Sequence, residues 1–290
     1  MSVNLDAMTY GIELEWADVD RSIDIPPEWG VWDESDVTVM NSDGTAIDIK
    51  KRRSDKVVGG EINATPTSST EELYQNIVNM YDLLKPTFFD PSAEKRVFTN
   101  HTHVHVTAPG LTEDVEAAKK LLVYANQVIE FANKTWSFLP PATDEQRADP
   151  EVYKAYKRYS AQHRAWCNRK LPDHFVEKAL ETDNLKDFNL AHFPISSKTG
   201  KHLLSFSTRP GLNVRSLWKH GTVEFRFFPT PERVEQYRDM IEFSQQLFIA
   251  GLTDQKPVED IYGSREWDLP SFPPFDYELY VTYMETKTKV

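Results

Sequence analysis

Along this chain, apolar and polar positions alternate in several short stretches and recur at helical spacing in several longer ones. In "MTYGIELEWADV", Ile12, Leu14 and Trp16 fall on one side and Glu13 and Glu15 on the other, the period-two pattern of a strand. "DVTVMNSDGTAIDIK" predicts a hairpin turning at Asn41-Ser42-Asp43-Gly44. "KVVGGEINATP" predicts a strand in which Gly59 and Gly60 mark a bulge or a close backbone approach. "RVFTNHTHVHVTAP" predicts another, with His101, His103 and His105 facing one way and Val104 and Val106 the other. "HLLSFST", "LNVRSLW" and "GTVEFRFFP" predict a meander.

Helical spacing covers Ser68 to Lys85, where Ser69 or Thr70 can cap the first turn, Leu73, Ile77, Met80 and Leu84 form the apolar stripe, and Pro86 stops the run. A long helix is expected from Thr112 to Trp136 with an N-cap threonine, and another from Glu232 to Ala250. Residues 138–200 read as an inserted lobe with helices over 150–170 and 173–182, the first locally basic through Arg147, Lys154, Lys157, Arg158, Arg164, Arg169 and Lys170. Residues 251–290 are proline-rich and aromatic, and are expected to wrap the body and end in a short helix. The expectation is one α+β domain over residues 1–290, an antiparallel sheet with helices on its outer face plus the helical insert. A fully covered parallel sheet would be apolar on both faces.

Composition narrows the picture. The chain has 290 residues, 40% hydrophobic and 12% aromatic, which suits a folded globular chain. Its formal net charge of −12 argues against non-specific binding to nucleic-acid phosphates as its main task. The single cysteine, Cys167, excludes an internal disulfide framework and cysteine-cluster zinc sites. No apolar run approaches the ~20 residues of a membrane span, and residues 1–10 carry no signal-peptide pattern. A cytoplasmic protein with no membrane partner is expected.

Three predicted strands share one design. Glu13 and Glu15, His103 and His105, and Glu224 and Arg226 are each two residues apart, so each pair leaves one face. Leu14, Val104 and Phe225 between them belong to the other. Glu61 follows Gly59-Gly60 in a fourth strand. Several glutamates with a histidine suit hard divalent cations, Mg²⁺ or, with imidazole present, Mn²⁺. Arg226 beside them could clamp a phosphate. Against this stands a plainer reading for each pair taken alone. A Glu-x-Glu strand is most often a solvated face, and Glu224 with Arg226 would form an ordinary exposed salt bridge. The recurrence on several strands favours the functional reading.

"YGIELE", "GGEIN", "NHTHVHV" and "GTVEFRFF", in that order, resemble the putative amidoligase family of bacterial and phage genomes, within the carboxylate–amine ligase superfamily of glutamine synthetase and γ-glutamylcysteine ligase. The resemblance spans about Tyr10 to Phe228 and is dense in those four blocks. It implies a curved antiparallel sheet of the glutamine synthetase catalytic type, holding ATP and Mg²⁺ or Mn²⁺ on its concave face. It also implies amide-bond formation through an acyl phosphate. By that resemblance Glu13, Glu15, Glu61 and Glu224 would hold metal. His103 (favoured over His105) would match the histidine beside the metal, and could also take the proton of the amine. Arg226 would contact phosphate and stabilise the transferring charge, with His105 and, more loosely, Arg215 as further nucleotide contacts. Asp43 with Thr45 resembles the family's D-x-S turn, with threonine for serine. Glutamine synthetases place two glutamates in the middle block, whereas here Glu61 stands alone, which leaves the number of metals open. The implied partners are an amino acid or other small carboxylate and an amine. A peptide or nucleic-acid acceptor is not favoured, and an oligomer stays open. The alternatives are a metal-dependent phosphoesterase and an inactive binding or scaffold protein on the same fold.

Overall fold

A computed structural model describes residues 3–20, 23–30, 57–85, 101–135, 139–166, 170–191, 210–272 and 274–287. The predicted hairpin with Asp43 and Thr45, the "HLLSFST" strand, Pro86 and Cys167 lie outside the described residues. In chain order the elements are β1 (Thr9–Asp20), β2 (Val57–Asn63), α1 (Thr70–Leu84), β3 (His101–Thr107), α2 (Val115–Thr135), α3 (Asp144–Ala148), α4 (Pro150–Trp166), α5 (Asp173–Leu180), α6 (Leu185–Ala191), β4 (Leu212–Asn213), α7 (Ser216–His220), β5 (Val223–Pro229), α8 (Gln236–Leu252), α9 (Val258–Tyr262) and α10 (Tyr277–Lys287). The fold is α+β. Among the described residues the sheet has the order β2-β1-β3-β5-β4, and every neighbouring pair is antiparallel.

Two bulges shape this sheet. β1 uses one more residue than β2 between Trp16 opposite Gly60 and Val19 opposite Val58. The irregularity thus falls at the Gly59-Gly60 pair, with the additional residue on β1. β5 uses one more residue than β3 between Phe225 opposite Val104 and Phe228 opposite Thr102. Such a bulge re-aims side chains locally, and here it sits opposite His103.

Local chemistry sets the helix ends. Ser69 Oγ accepts from the Glu72 amide at 3.3 Å and caps α1, and Lys85 closes the helix at φ 44°. The expected threonine cap of α2 is corrected. Thr112 lies in a 3-10 turn, Leu111–Glu113, and Asp114 Oδ1 accepts from the Ala117 amide at 2.9 Å. Aspartate fills the same capping role two residues later. α8 starts at Gln236 rather than Glu232, because Gln236 Oε1 takes up the Glu232 amide at 2.8 Å and holds the preceding residues in a turn. "LNVRSLW" is mostly not a strand. Only Leu212 and Asn213 pair with β5, Arg215 turns to helical φ −67°, and α7 follows. Gly221 ends α7 at φ 70° and donates its N–H to the Leu217 carbonyl at 3.1 Å, a left-handed cap that favours glycine.

One core lies between the sheet and helices α1, α2 and α8. It joins Ile12, Leu14, Trp16, Val104 and Phe225 to Ile77, Leu121, Val128, Ile241 and Phe248. The Trp16 indole N–H donates to the Tyr237 hydroxyl of α8 at 2.9 Å within it. The described residues between 139 and 191 divide between two cores. Leu139, Ala155 and Tyr159 pack with Phe275 and Tyr280 near α10, whereas Leu171, Ala179 and Phe188 join the main core. Among the described residues no helix is long and apolar enough to cross a membrane.

Candidate metal centre on the sheet

Strand pairing brings the predicted residues together. Glu13 stands opposite His103 on one side and Asn63 on the other, Glu15 opposite Glu61, and His105 opposite Glu224. Directly opposed residues share a face, so the ionisable side chains of four strands converge on the side away from the helices. The centre of this face is buried, while Asn63 at its β2 edge is exposed and Glu13, Glu61 and His105 are half-buried. Glu15 is 3% exposed, His103 4%, Glu224 5% and Arg226 8%. The expectation of an exposed Glu224–Arg226 salt bridge is therefore corrected: the pair is close and buried. Buried charges persist only when neighbours compensate them.

The compensation is specific. His103 Nδ1 lies 2.6 Å from Glu13 Oε2 and 3.5 Å from Glu224 Oε1. Burial opposes ionisation of Glu13, but hydrogen bonds and positive charge from His103 and His105 outweigh it and hold the carboxyl well below its ordinary range. Ionised Glu13 is an acceptor, so His103 donates from Nδ1. Its Nε2 is buried without a hydrogen-bond partner. Burial, reinforced by the Arg226 guanidinium 3.4 Å from Nδ1, lowers the His103 pKa against the opposing pull of Glu13 and Glu224. For Glu224, burial also opposes ionisation, and Arg226 and His103 overcome it. Asn213 adds a hydrogen bond from Nδ2 to Glu224 Oε2 at 2.7 Å.

Glu13, His105 and Glu224 each offer one donor atom, and these atoms all lie within 4.8 Å of one another. His105 Nε2 is 3.1 Å from Glu13 Oε1. Two donors about 2.1 Å from one octahedral ion lie about 3 Å apart, so this separation fits a shared cation. Burial disfavours a charged His105, but adjacent Glu13 and then Glu224 raise its pKa. A cation would take the place of that proton.

The other expected residues fall around this group. Both imidazoles face the two carboxylates: His103 Nδ1 is bonded to Glu13 Oε2, and the donor atom of His105 groups with those of Glu13 and Glu224. Glu15 Oε2 accepts the His101 amide at 2.8 Å, just beyond the last β1–β3 pair, Leu14 with Thr102. Glu61 Oε1 accepts from Asn63 Nδ2 at 3.2 Å. Arg215 stands two residues past Asn213, at the start of α7. Phe272, from the C-terminal segment, meets the His101 ring at 5.7 Å between centroids. Sequence reasoning missed Asn63, Asn213, Ser216, Thr222 and His220. Asn63 and Thr222 carried a signal, each two residues from a named glutamate. His220, whose ring lies 6.3 Å from that of His105, and Asn213 are brought in by the α7 turn and the short β4 pairing.

Compared with known proteins, the chain matches no family model. It matches no curated protein either.

Proposed function

We propose that this protein is an ATP-dependent carboxylate–amine ligase that holds a divalent cation, Mg²⁺ or Mn²⁺, on the polar face of its sheet. The observation that carries the cation site is the convergence of half-buried Glu13 and His105 with buried Glu224, a donor set of two carboxylates and an imidazole. The order of the four sequence blocks and the antiparallel sheet support the ligase reading and its glutamine synthetase-like architecture. Glu13, His105 and Glu224 would hold the ion, with Glu15 and Glu61 on the same face. Such an ion supplies positive charge to neutralise phosphate oxygens.

The chain's own residues would do the rest. Arg226, kept in place by Glu224, puts a guanidinium on this face that can meet a phosphate oxygen. His103, whose pKa burial and Arg226 lower, has Nε2 as a candidate acceptor for the proton of an incoming amine.

The test is calorimetric titration of a non-hydrolysable ATP analogue, with and without Mg²⁺ or Mn²⁺, into wild type and Glu224→Gln. Metal-dependent binding that weakens at least about tenfold in the variant is the expected result. Cation binding without any nucleotide binding would replace the ligase with the phosphoesterase reading. Neither cation nor nucleotide binding would overturn both and leave a binding protein.

A further inference from the structure

We infer that Thr222, backed by Ser216, is a positioning pair that fixes the His105 ring so that Nε2 faces the cation. This rests on the cation reading of Glu13, His105 and Glu224 given above. An imidazole that ligates through Nε2 carries its one remaining ring proton on Nδ1. In a buried site that proton needs an acceptor. Thr222 Oγ1 lies 2.8 Å from His105 Nδ1. A threonine hydroxyl that accepts there must direct its own hydrogen elsewhere, and Ser216 Oγ lies 3.2 Å away. Run from Nδ1–H to Thr222 to Ser216, the chain leaves the Nε2 lone pair toward Glu13 and Glu224.

The reverse arrangement is poorer. With Thr222 donating to Nδ1, the ring proton would move to Nε2, 3.1 Å from Glu13 Oε1, and that nitrogen would have no lone pair left for a cation. The backbone also holds Thr222 in place. Thr107 Oγ1 donates to the Gly221 carbonyl at 2.6 Å, and the left-handed Gly221 joins α7 to the strand. Ser216 is buried, 3% exposed, so its hydroxyl is kept away from bulk water. Outer-shell partners of a ligating histidine orient the ring, set its tautomer and raise its basicity.

The experiment titrates Mn²⁺ alone into full-length wild type, Thr222→Val and Thr222→Ser, following the free ion by electron paramagnetic resonance. The ¹⁴N coupling of bound Mn²⁺ reports imidazole ligation, and a urea midpoint without metal reports folding. The expected result is Mn²⁺ affinity about 10–100-fold weaker in Thr222→Val with weakened ¹⁴N coupling. Thr222→Ser, which restores the hydroxyl, should bind as wild type does. Equal affinity and coupling in wild type and Thr222→Val would overturn the inference. So would an equal loss in Thr222→Ser, since the hydroxyl would then not be the cause. If wild type binds no Mn²⁺, the cation reading itself fails and this inference with it.

Discussion

The apolar face of the sheet and the centre of its polar face are both buried, yet different physics holds them. On β5, Phe225 is 0% exposed and its neighbour Glu224 is 5% exposed. Phe225 gains from leaving water, and neighbours of roughly the right volume are enough to satisfy it. Glu224 loses hydration and is retained by Arg226, His103 and Asn213 in fixed positions. One face therefore depends on volume and the other on pairing. An apolar side can absorb a conservative change by repacking, whereas removal of one polar partner leaves another group stranded.

The largest effect should come from the apolar face. Phe225→Ala is expected to cost about 3–5 kcal/mol through lost burial and a residual cavity, read from urea unfolding. A double variant that also removes Arg226 should show no rescue. Next comes the polar face. Arg226→Met should cost about 3 kcal/mol by leaving Glu224 buried without its guanidinium, while Glu224→Gln/Arg226→Met should recover most of that loss. A double variant as unstable as the sum of the singles would break the contrast between the faces.

Smaller changes sharpen it. Asn213→Leu removes the donor to Glu224 Oε2 and should cost about 1.5–3 kcal/mol, the range of a hydrogen bond to a charged group. Mn²⁺ affinity should fall as Glu224 loses its orientation, which a change confined to packing would not produce. Gly221→Ala should cost about 1 kcal/mol, because alanine is strained at φ 70°. The added methyl itself meets Thr112 Cγ2 at an ordinary 3.5 Å, so the cost reflects backbone conformation rather than a clash.

Much of the sheet was legible locally. Side chains alternate along any strand, so Glu13 and Glu15 had to leave one face and Leu14 the other. The same rule placed His103 with His105 and Glu224 with Arg226. The stripe of α1 and its Ser69 cap were equally local. Less legible was "LNVRSLW", whose β-branched and apolar residues suggest a strand while Arg215 and Gly221 bracket a helical turn. Competition between those signals is decided by where Asn213 can pair with Glu224. The cap of α2 was misplaced because Thr112 and Asp114 can both serve, and only backbone conformation at the helix entry selects one.

Sequence by itself determined which side of each strand is polar, since that follows from the two-residue repeat of the extended chain. It also determined the inventory of carboxylates, imidazoles and guanidinium. Tertiary structure alone decided that the central charges are buried, because exposure depends on what packs over a face. It also decided their pairing. Register sets Glu13 beside His103 and His105 beside Glu224, and a shift of one residue would send those side chains to the opposite face. The grouping of the His105 donor atom with those of Glu13 and Glu224 arises the same way. It depends on Thr222, Ser216 and the turn at Gly221, more than a hundred residues along the chain from His105.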